Sequence, residues 1–454
     1  MAVILAVTNG PAGMRWSTIE LGRRLVAAGH AVTFAGDPSA HDLAEHHALG
    51  FCPLGSNGVD AFLAEDTTGS LIDRLRRLPE RRFEARRSTG IDAFVSVLGS
   101  LRPDLVLIDG EMHEHIVATA GAGFSLALLN TFASIWRRPG LPPPHTSIQP
   151  GVGWRGSRIG ITLAWMAFRL RKRARFLRLR AQRVGCDRIS LLRGLASDMG
   201  LDLDRETDAS QWLIPFTYPR FPVLSLHALE FELPHEPPPG VHYVGPMVLE
   251  DRLDRPMAEA DRRLLDGVLD RHVPSNPDRV LIFAGFGSFF TAHRRWLRRL
   301  VAAIRERPGW ELVLALGDRS EPADLGELPA GVHAFARAPQ LEILARADAA
   351  IVHGGINTID ECVLAGVPML TSCGGETDMA GNTVRVVHHG IGLAADPERD
   401  TTGRILDRLD RLLGDLSIAG NLSRMGALYR AYSEEEVAQR AVDRLLFGGR
   451  GPSP

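Results

Sequence analysis

Lysine is nearly missing from this 454-residue chain: Lys172 is the only one, so almost all of the 52 Lys+Arg positions are arginine. That bias reads as high-GC codon usage and takes weight from any argument based on arginine abundance alone. Net charge is small too. At −2 it makes no electrostatic case for nucleic-acid binding by the chain as a whole. The four cysteines, Cys52, Cys186, Cys362 and Cys373, show no metal-type spacing, so no metal and a reduced cytoplasmic setting are expected. Long hydrophobic runs are absent. MAVILAVTNG is apolar for only a few residues, lacks a basic leader, and reads as a first strand rather than a signal peptide. The longest nearly apolar stretch, IVATAGAGFSLALLN (116–130), is too short and too rich in Gly and Ala for a membrane span. Histidine is missing from the first 29 residues; His30 is the first, in an AGHAV turn.

The rest of the composition, 45% hydrophobic and 23% charged, is that of a globular protein, and the length suggests two domains. The first half alternates strands and helices. Strands are expected at 2–7, 31–36, 103–110, 125–130, 222–228 and 240–247. A helix over 17–30, with Ser17 as cap and Gly29 as stop, and another at 114–122 lie between them. The second half repeats the alternation, with strands at 279–288, 310–317, 331–336, 349–352 and 367–372. Helices are expected at 294–307, 340–347, 381–390 and 407–416. The boundaries read as an N-terminal domain (1–248), a charged, helical linker (249–277), a second domain (278–420) and a single C-terminal helix (421–454) long enough to pack across both domains. Alternation of this kind predicts doubly wound parallel sheets, with ligands in a cleft at the carboxyl ends of the strands.

The clearest chemistry lies in HGGINTIDE (353–361). An apolar run, AAIV, delivers the chain to a sheet edge. Gly354 and Gly355 let backbone approach a ligand closely. The helix that follows points free N–H groups and its positive dipole end at the same place, so an anion such as a phosphate is the natural occupant. His353 can add a donor. Glu361, four residues after Asn357, shares its helical face and suits ribose hydroxyls. The plain alternative is a glycine turn beside a core histidine. Ser288, after a Gly-rich strand end, can reach the same anion or merely close a turn. Gln340 can pair with a base edge or start a helix. Asp378 and Asn382 can face one ligand or cap a surface helix.

From Ala338 to Gly392, the order PQ, HGG-N-T-E, GVPML, D-N and G-G resembles the nucleotide-sugar signature of family 1 glycosyltransferases. That group includes plant UDP-sugar and bacterial macrolide or natural-product enzymes. GRRLVAAGHAVTFAG, LVLIDG and HYVGP extend a weaker resemblance over the N-terminal half. The resemblance implies a GT-B fold: two Rossmann-like α/β domains facing a cleft, acceptor on the N-terminal one and sugar nucleotide on the C-terminal one. It implies inverting transfer from a UDP- or dTDP-sugar, a co-substrate rather than a cofactor, to a small hydrophobic natural-product or lipid-like acceptor, without a metal. His353, Ser288, Gly355, Asn357 and Thr358 would then line the diphosphate, Glu361 the ribose, Gln340 the base and Asp378 the sugar.

The chain departs from that pattern in three places. The family's acceptor base is a histidine after the first strand, held by an aspartate matching Asp109; its position here is Met14, which cannot take a proton. Asp109, Glu111, His113 or His115 can act instead, or the acceptor is acidic enough to need little help. Otherwise the chain is a non-catalytic sugar-nucleotide-binding homologue or auxiliary partner. A GT-B sugar-nucleotide epimerase, which needs no acceptor base, is a further alternative. Met379 stands where glutamine is usual, which suits a deoxysugar donor, and Arg337 stands where tryptophan stacks on the base. The segment 155–183 has ten Arg/Lys and no Asp or Glu, interleaved with apolar residues; it reads as a membrane-surface helix or as a packed helix with solvated arginines. A cytoplasmic protein, with peripheral membrane contact through this segment and homodimerisation as open options, is the expectation.

Overall fold

One parallel sheet stands in each half of the chain. The computed structural model describes residues 1–10, 12–55, 71–252, 257–272, 279–286, 294–317, 325–371 and 377–448. The first sheet contains β1 (Val3–Val7), β2 (Ala31–Gly36), β3 (Gly50–Pro53), β4 (Leu105–Asp109), β5 (Leu126–Asn130), β6 (Val223–Ser225) and β7 (Val241–Tyr243), in the order β3-β2-β1-β4-β5-β6-β7. The second contains β8 (Leu281–Gly285), β9 (Glu311–Ala315), β10 (Val332–Phe335), β11 (Ala349–Val352), β12 (Met369–Thr371) and β13 (Gly392–Ala394), in the order β10-β9-β8-β11-β12-β13. The central strands β4, β5, β8 and β11 are buried along their whole length, as expected for parallel sheets covered on both faces. β3 (GFCP) and β13 (GLA) went unread in the sequence because neither composition favours a strand. Both are edge strands that exist through pairing with β2 and β12.

Strand order reverses between β1 and β4 in one sheet and between β8 and β11 in the other. At such a point the connections leave to opposite sides and open a crevice at the carboxyl edge. The helix after β1 spans Ala12–Ala27, so it begins five residues before Ser17; Ser17 is buried within it rather than capping it. Nothing in Ala12–Trp16 except Gly13 opposes helix, so the turn before Ser17 is helical too.

The chain crosses between the domains more than once. Leu416–Glu434 and Val437–Phe447 are separate helices, where periodicity suggested one; Glu436, with φ +52°, breaks them. Leu422, Met425 and Tyr429 pack into the second-domain core, and Ala438, Ala441 and Val442 pack with Ile4 and Leu25 of the first. Ala133, Ala228 and Phe231, from segments after β5 and β6, also join the second core.

Beside them lies a buried ion pair. Arg385, on the helix Met379–His388, donates to Glu232 Oε2 through Nε at 2.9 Å and Nη2 at 2.6 Å. His227 Nε2 lies 2.8 Å from Oε1, and the Ser134 amide donates to it. Burial opposes the Glu232 charge, but Arg385 and His227 outweigh it and hold the carboxyl at about 2. Because this folded value lies below the ordinary 4.5, the pair's stabilisation is complete above 4.5 and is lost as pH falls towards 2. Replacing Glu232 by Ala leaves Arg385 buried and uncompensated, so urea unfolding at neutral pH should show a loss of about 3–5 kcal/mol. The stability of the variant should also vary less than the parent's between pH 4.5 and 2.

Candidate active site

The second sheet's switch point brings β8 and β11 side by side, with Val352 paired to Gly285. His353 follows at once. Gly354 has φ +90°, a left-handed conformation that suits glycine, and an added β-carbon would lie 3.0 Å from the Met379 carbonyl. A β-carbon on Gly355 would lie 2.5 Å from His353 Nε2. The two glycines thus let the chain turn sharply and let the imidazole lie across the turn. Gly355 caps the helix Ile356–Ala365 without a side-chain hydrogen bond, which leaves the first-turn N–H groups facing the crevice. Burial pushes the His353 imidazole below its ordinary value, while the Gly285 carbonyl acts the other way.

Asn382 locks this turn in place. Its Nδ2 donates to the Gly354 carbonyl at 3.0 Å and to Asp378 Oδ2 at 2.8 Å. Both residues are buried, so they do not form a surface cap. Burial raises the Asp378 pKa, with Asn382 opposing. Met379 is half-buried beside Gly354. Asn357 reaches the other domain: Ser17 Oγ donates to its Oδ1 at 3.5 Å, and its Nδ2 lies 2.5 Å from where a β-carbon on Gly13 would be.

Gln340, Thr358 and Glu361 also meet. Gln340 Nε2 donates to Glu361 and, at 3.4 Å, to Thr358 Oγ1. The sequence offered no sign of a second partner of Glu361: Arg252, from the segment joining the domains, donates to Oε1 at 2.7 Å and lies 4.2 Å over the Trp16 ring. Arg252 comes from 109 residues away, beyond the reach of any local pattern. Arg337 is exposed, and Ser288 lies outside the described residues.

The first sheet's switch point supplies the opposite wall. Asp109 ends β4 and is buried. It accepts from Thr8 Oγ1 at 3.0 Å and from the Glu111 amide at 3.0 Å. Burial raises its pKa, and those two hydrogen bonds act against the rise. A β-carbon on Gly10 would lie 2.5 Å from Met14 Sδ and 3.4 Å from Asp109 Oδ2, so the thioether and the carboxylate border one small space. Glu111 is exposed to the cleft yet flanked by protein. Desolvation, then the Asp109 charge, lifts its carboxyl to about 7, with Asp378 adding to the rise and Arg188 opposing it.

His113 and His115 are buried, not solvated as a helix start would suggest, and burial lowers both to about 4. His113 is fixed between Tyr218 Oη and the Ile214 carbonyl, each at 3.1 Å, and His115 packs on Phe94. The helix His113–Gly121 turns these side chains into the core, so neither faces the cleft. Behind Asp109 and Glu111 lies a mostly apolar cavity of about 270 Å³, walled by Phe132, Trp136, Tyr218 and Phe221 and edged by Asn130 and Gln211. Among the described residues, no group of three or more His, Cys, Asp or Glu side chains is placed to hold a metal.

Gly355→Ala should drive His353 Nε2 aside and weaken UDP or dTDP binding by about tenfold, a loss of about 1.4 kcal/mol. Isothermal titration would measure it, and an unchanged affinity would separate the turn from nucleotide binding.

Residues 299–443 match the family described as Erythromycin biosynthesis protein CIII-like, C-terminal domain. The oleandomycin glycosyltransferase of Streptomyces antibioticus is 31% identical over 172 residues, 38% of this chain and 39% of that protein. The match therefore spans about two-fifths of that relative's length. The glycotransferase of kitacinnamycin superposes over 98% of both chains with a TM-score of 0.66 at 21% identity. Glycosyltransferase VinC, solved in complex with dTDP, superposes over 96% of this chain and all of its own with a TM-score of 0.57 at 18% identity. The chain thus has the two-domain GT-B fold and carries an erythromycin biosynthesis protein CIII-like C-terminal domain, as a relative of the family 1 glycosyltransferases.

Proposed function

We propose that the chain moves a sugar, with inversion and without a metal, from a UDP- or dTDP-sugar to a small apolar natural-product or lipid-like acceptor. The observation that carries this reading is the opposition of two sites. An anion-gripping turn, His353–Gly355 with its helix N-terminus, faces a carboxylate pair, Asp109 and Glu111, that opens onto an apolar cavity.

In this reading the acceptor's apolar body fills the cavity, with one hydroxyl at Glu111. Two adjacent carboxyls resist ionising together. Asp109, sealed by Thr8 and the Glu111 amide, is the less accessible of the two. Glu111 faces the cleft and titrates near neutrality, the range in which a general base works best. It takes the hydroxyl proton as the acceptor oxygen attacks the anomeric carbon. The bond to the diphosphate oxygen breaks on the opposite face, and the proton later leaves to solvent. The departing charge falls on the first-turn N–H groups of Ile356–Ala365 and on His353, whose imidazole the diphosphate would pull back towards its protonated form. Asp378 and Asn382 hold sugar hydroxyls, and Glu361 with Gln340 the nucleoside. Met379 offers no hydrogen bond where a hydroxyl would need one, which favours a deoxysugar.

Incubation with UDP- and dTDP-sugars tests the reading. Nucleotide release only with an apolar acceptor supports it. Release or isomerisation without acceptor makes the protein a hydrolase or epimerase, and binding without turnover makes it an auxiliary binder.

Glu111→Gln should lower kcat/KM by roughly 10²–10⁴-fold while sparing nucleotide affinity. The parent's kcat/KM should rise with pH through about 7, and that limb should vanish in the variant. Linkage gives a second readout. Because the folded value lies above the ordinary 4.5, the stabilising contribution is present at low pH and lost as pH rises through 7. Glu111→Gln should therefore resist urea better than the parent at pH 8. Met14→His, which restores a base beside Asp109, should recover activity in the Glu111→Gln background.

A further inference from the structure

The helix Arg158–Gln182 is absorbed by none of this chemistry. Its inner face packs well. Trp165 Nε1 donates to the Leu141 carbonyl at 2.8 Å, Ile161 and Trp165 cluster with Ile148, and Phe168 lies against them. Lys172, the single lysine, is buried on the same face. Its Nζ donates to the carbonyls of Gln211 at 2.8 Å and Leu213 at 2.6 Å, two residues that wall the apolar cavity.

The outer face is apolar as well. Ile159, Leu163, Met166, Leu170 and Leu177 follow at intervals of four, three, four and seven residues. At 3.6 residues per turn they form one stripe opposite the packed face. Ile159 is 74% exposed, Leu170 63% and Leu177 69%. In the turn just before the helix, Trp154 is 72% exposed and Val152 58%. A scatter of single exposed apolar residues needs no explanation, but a continuous row with a tryptophan at one end does.

Arginines border the row on both sides: Arg169, Arg173 and Arg180 along one edge, Arg171 and Arg178 along the other. Between residues 155 and 183 there is no Asp or Glu, and none of the nine arginines there pairs with a described carboxylate. The whole-chain arginine bias explains why these cations are arginine. It does not explain why they stand without a described carboxylate, since the chain has 54 Asp+Glu and pairs many of its other arginines.

We propose that this outer face docks the protein on an anionic lipid surface, with the apolar row entering the headgroup boundary and the arginines meeting lipid phosphates. The charge pattern decides between occupants. A second copy would bring the same arginines against themselves, with no carboxylate to offset them. An anionic bilayer supplies apolar depth for the row and opposite charge for both edges at once. Among the described residues no helix is long and apolar enough to cross a membrane, so the contact is peripheral. The same helix holds the cavity wall through Lys172, so docking would set the cavity close to the bilayer.

Sedimentation of the full chain with phosphatidylcholine vesicles, and with phosphatidylcholine–phosphatidylglycerol vesicles, tests this. The protein should pellet with the anionic vesicles at low salt, and with neither at high salt. Leu163→Asp with Leu170→Asp, and separately Arg171→Glu with Arg178→Glu, should each lower binding by more than roughly tenfold. Both pairs face solvent, so thermal unfolding should not move. Absence of binding to anionic vesicles overturns the proposal, as does binding that the leucine pair leaves unchanged. Sedimentation velocity supplies the other test: a parent dimer that the leucine pair dissociates would assign the stripe to a second copy instead.

Discussion

The Glu232–Arg385 pair is the contact on which the rest of the arrangement depends. Two charges are taken fully out of water at the join between the domains, and each is tolerable only because the other is there. Arg385 shares one face of the helix Met379–His388 with Asp378 and Asn382, seven and three residues earlier. Asn382 in turn holds the Gly354 carbonyl. The interaction that joins the domains therefore also sets where the histidine–glycine turn stands. Nearby, the Gly381 amide donates to the Pro144 carbonyl at 2.8 Å, and His389 meets the Phe231 and Glu232 carbonyls, so the helix is tied down along its length.

Given that join, the two switch points confront each other. Each sheet alone would offer an ordinary crevice at its carboxyl edge. Together they place an electropositive helix end across from a carboxylate pair, and Asn357 touches Ser17 between them. In the proposed transfer, one wall would receive negative charge as a leaving group departs and the other would accept a proton as a nucleophile arrives. His353, Asp109 and the turn glycines are all set by backbone at the end of a strand or immediately after it.

How much of this was legible in the sequence depends on range. The central strands could be read because burial on both faces demands unbroken apolar runs, and the turn after β11 because its glycines answer a local backbone need. β3 and β13 could not, since a neighbour's hydrogen bonds, not their own composition, make them strands. Ser17 looked like a cap because its residue type favours one, but the helix continued through it. His113 and His115 stood among the possible bases at the head of a helix; the direction of that helix against β4 and β5 buried them. Nothing near Glu361 announced Arg252, which stands 109 residues away.

The sequence by itself determined the parallel α/β alternation, the two-domain plan and the glycine turn after β11. These follow from periodicity, backbone conformation and residue identity, all of which act over a few positions. Only the tertiary structure decided which of four titratable groups near Met14 faces the cleft, what Glu361 holds, and that the apolar row of Arg158–Gln182 points outward. Proton affinity, ion pairing and solvation depend on what stands within a few ångströms in space. A chain that brings residue 385 to residue 232 settles those neighbours only when it folds.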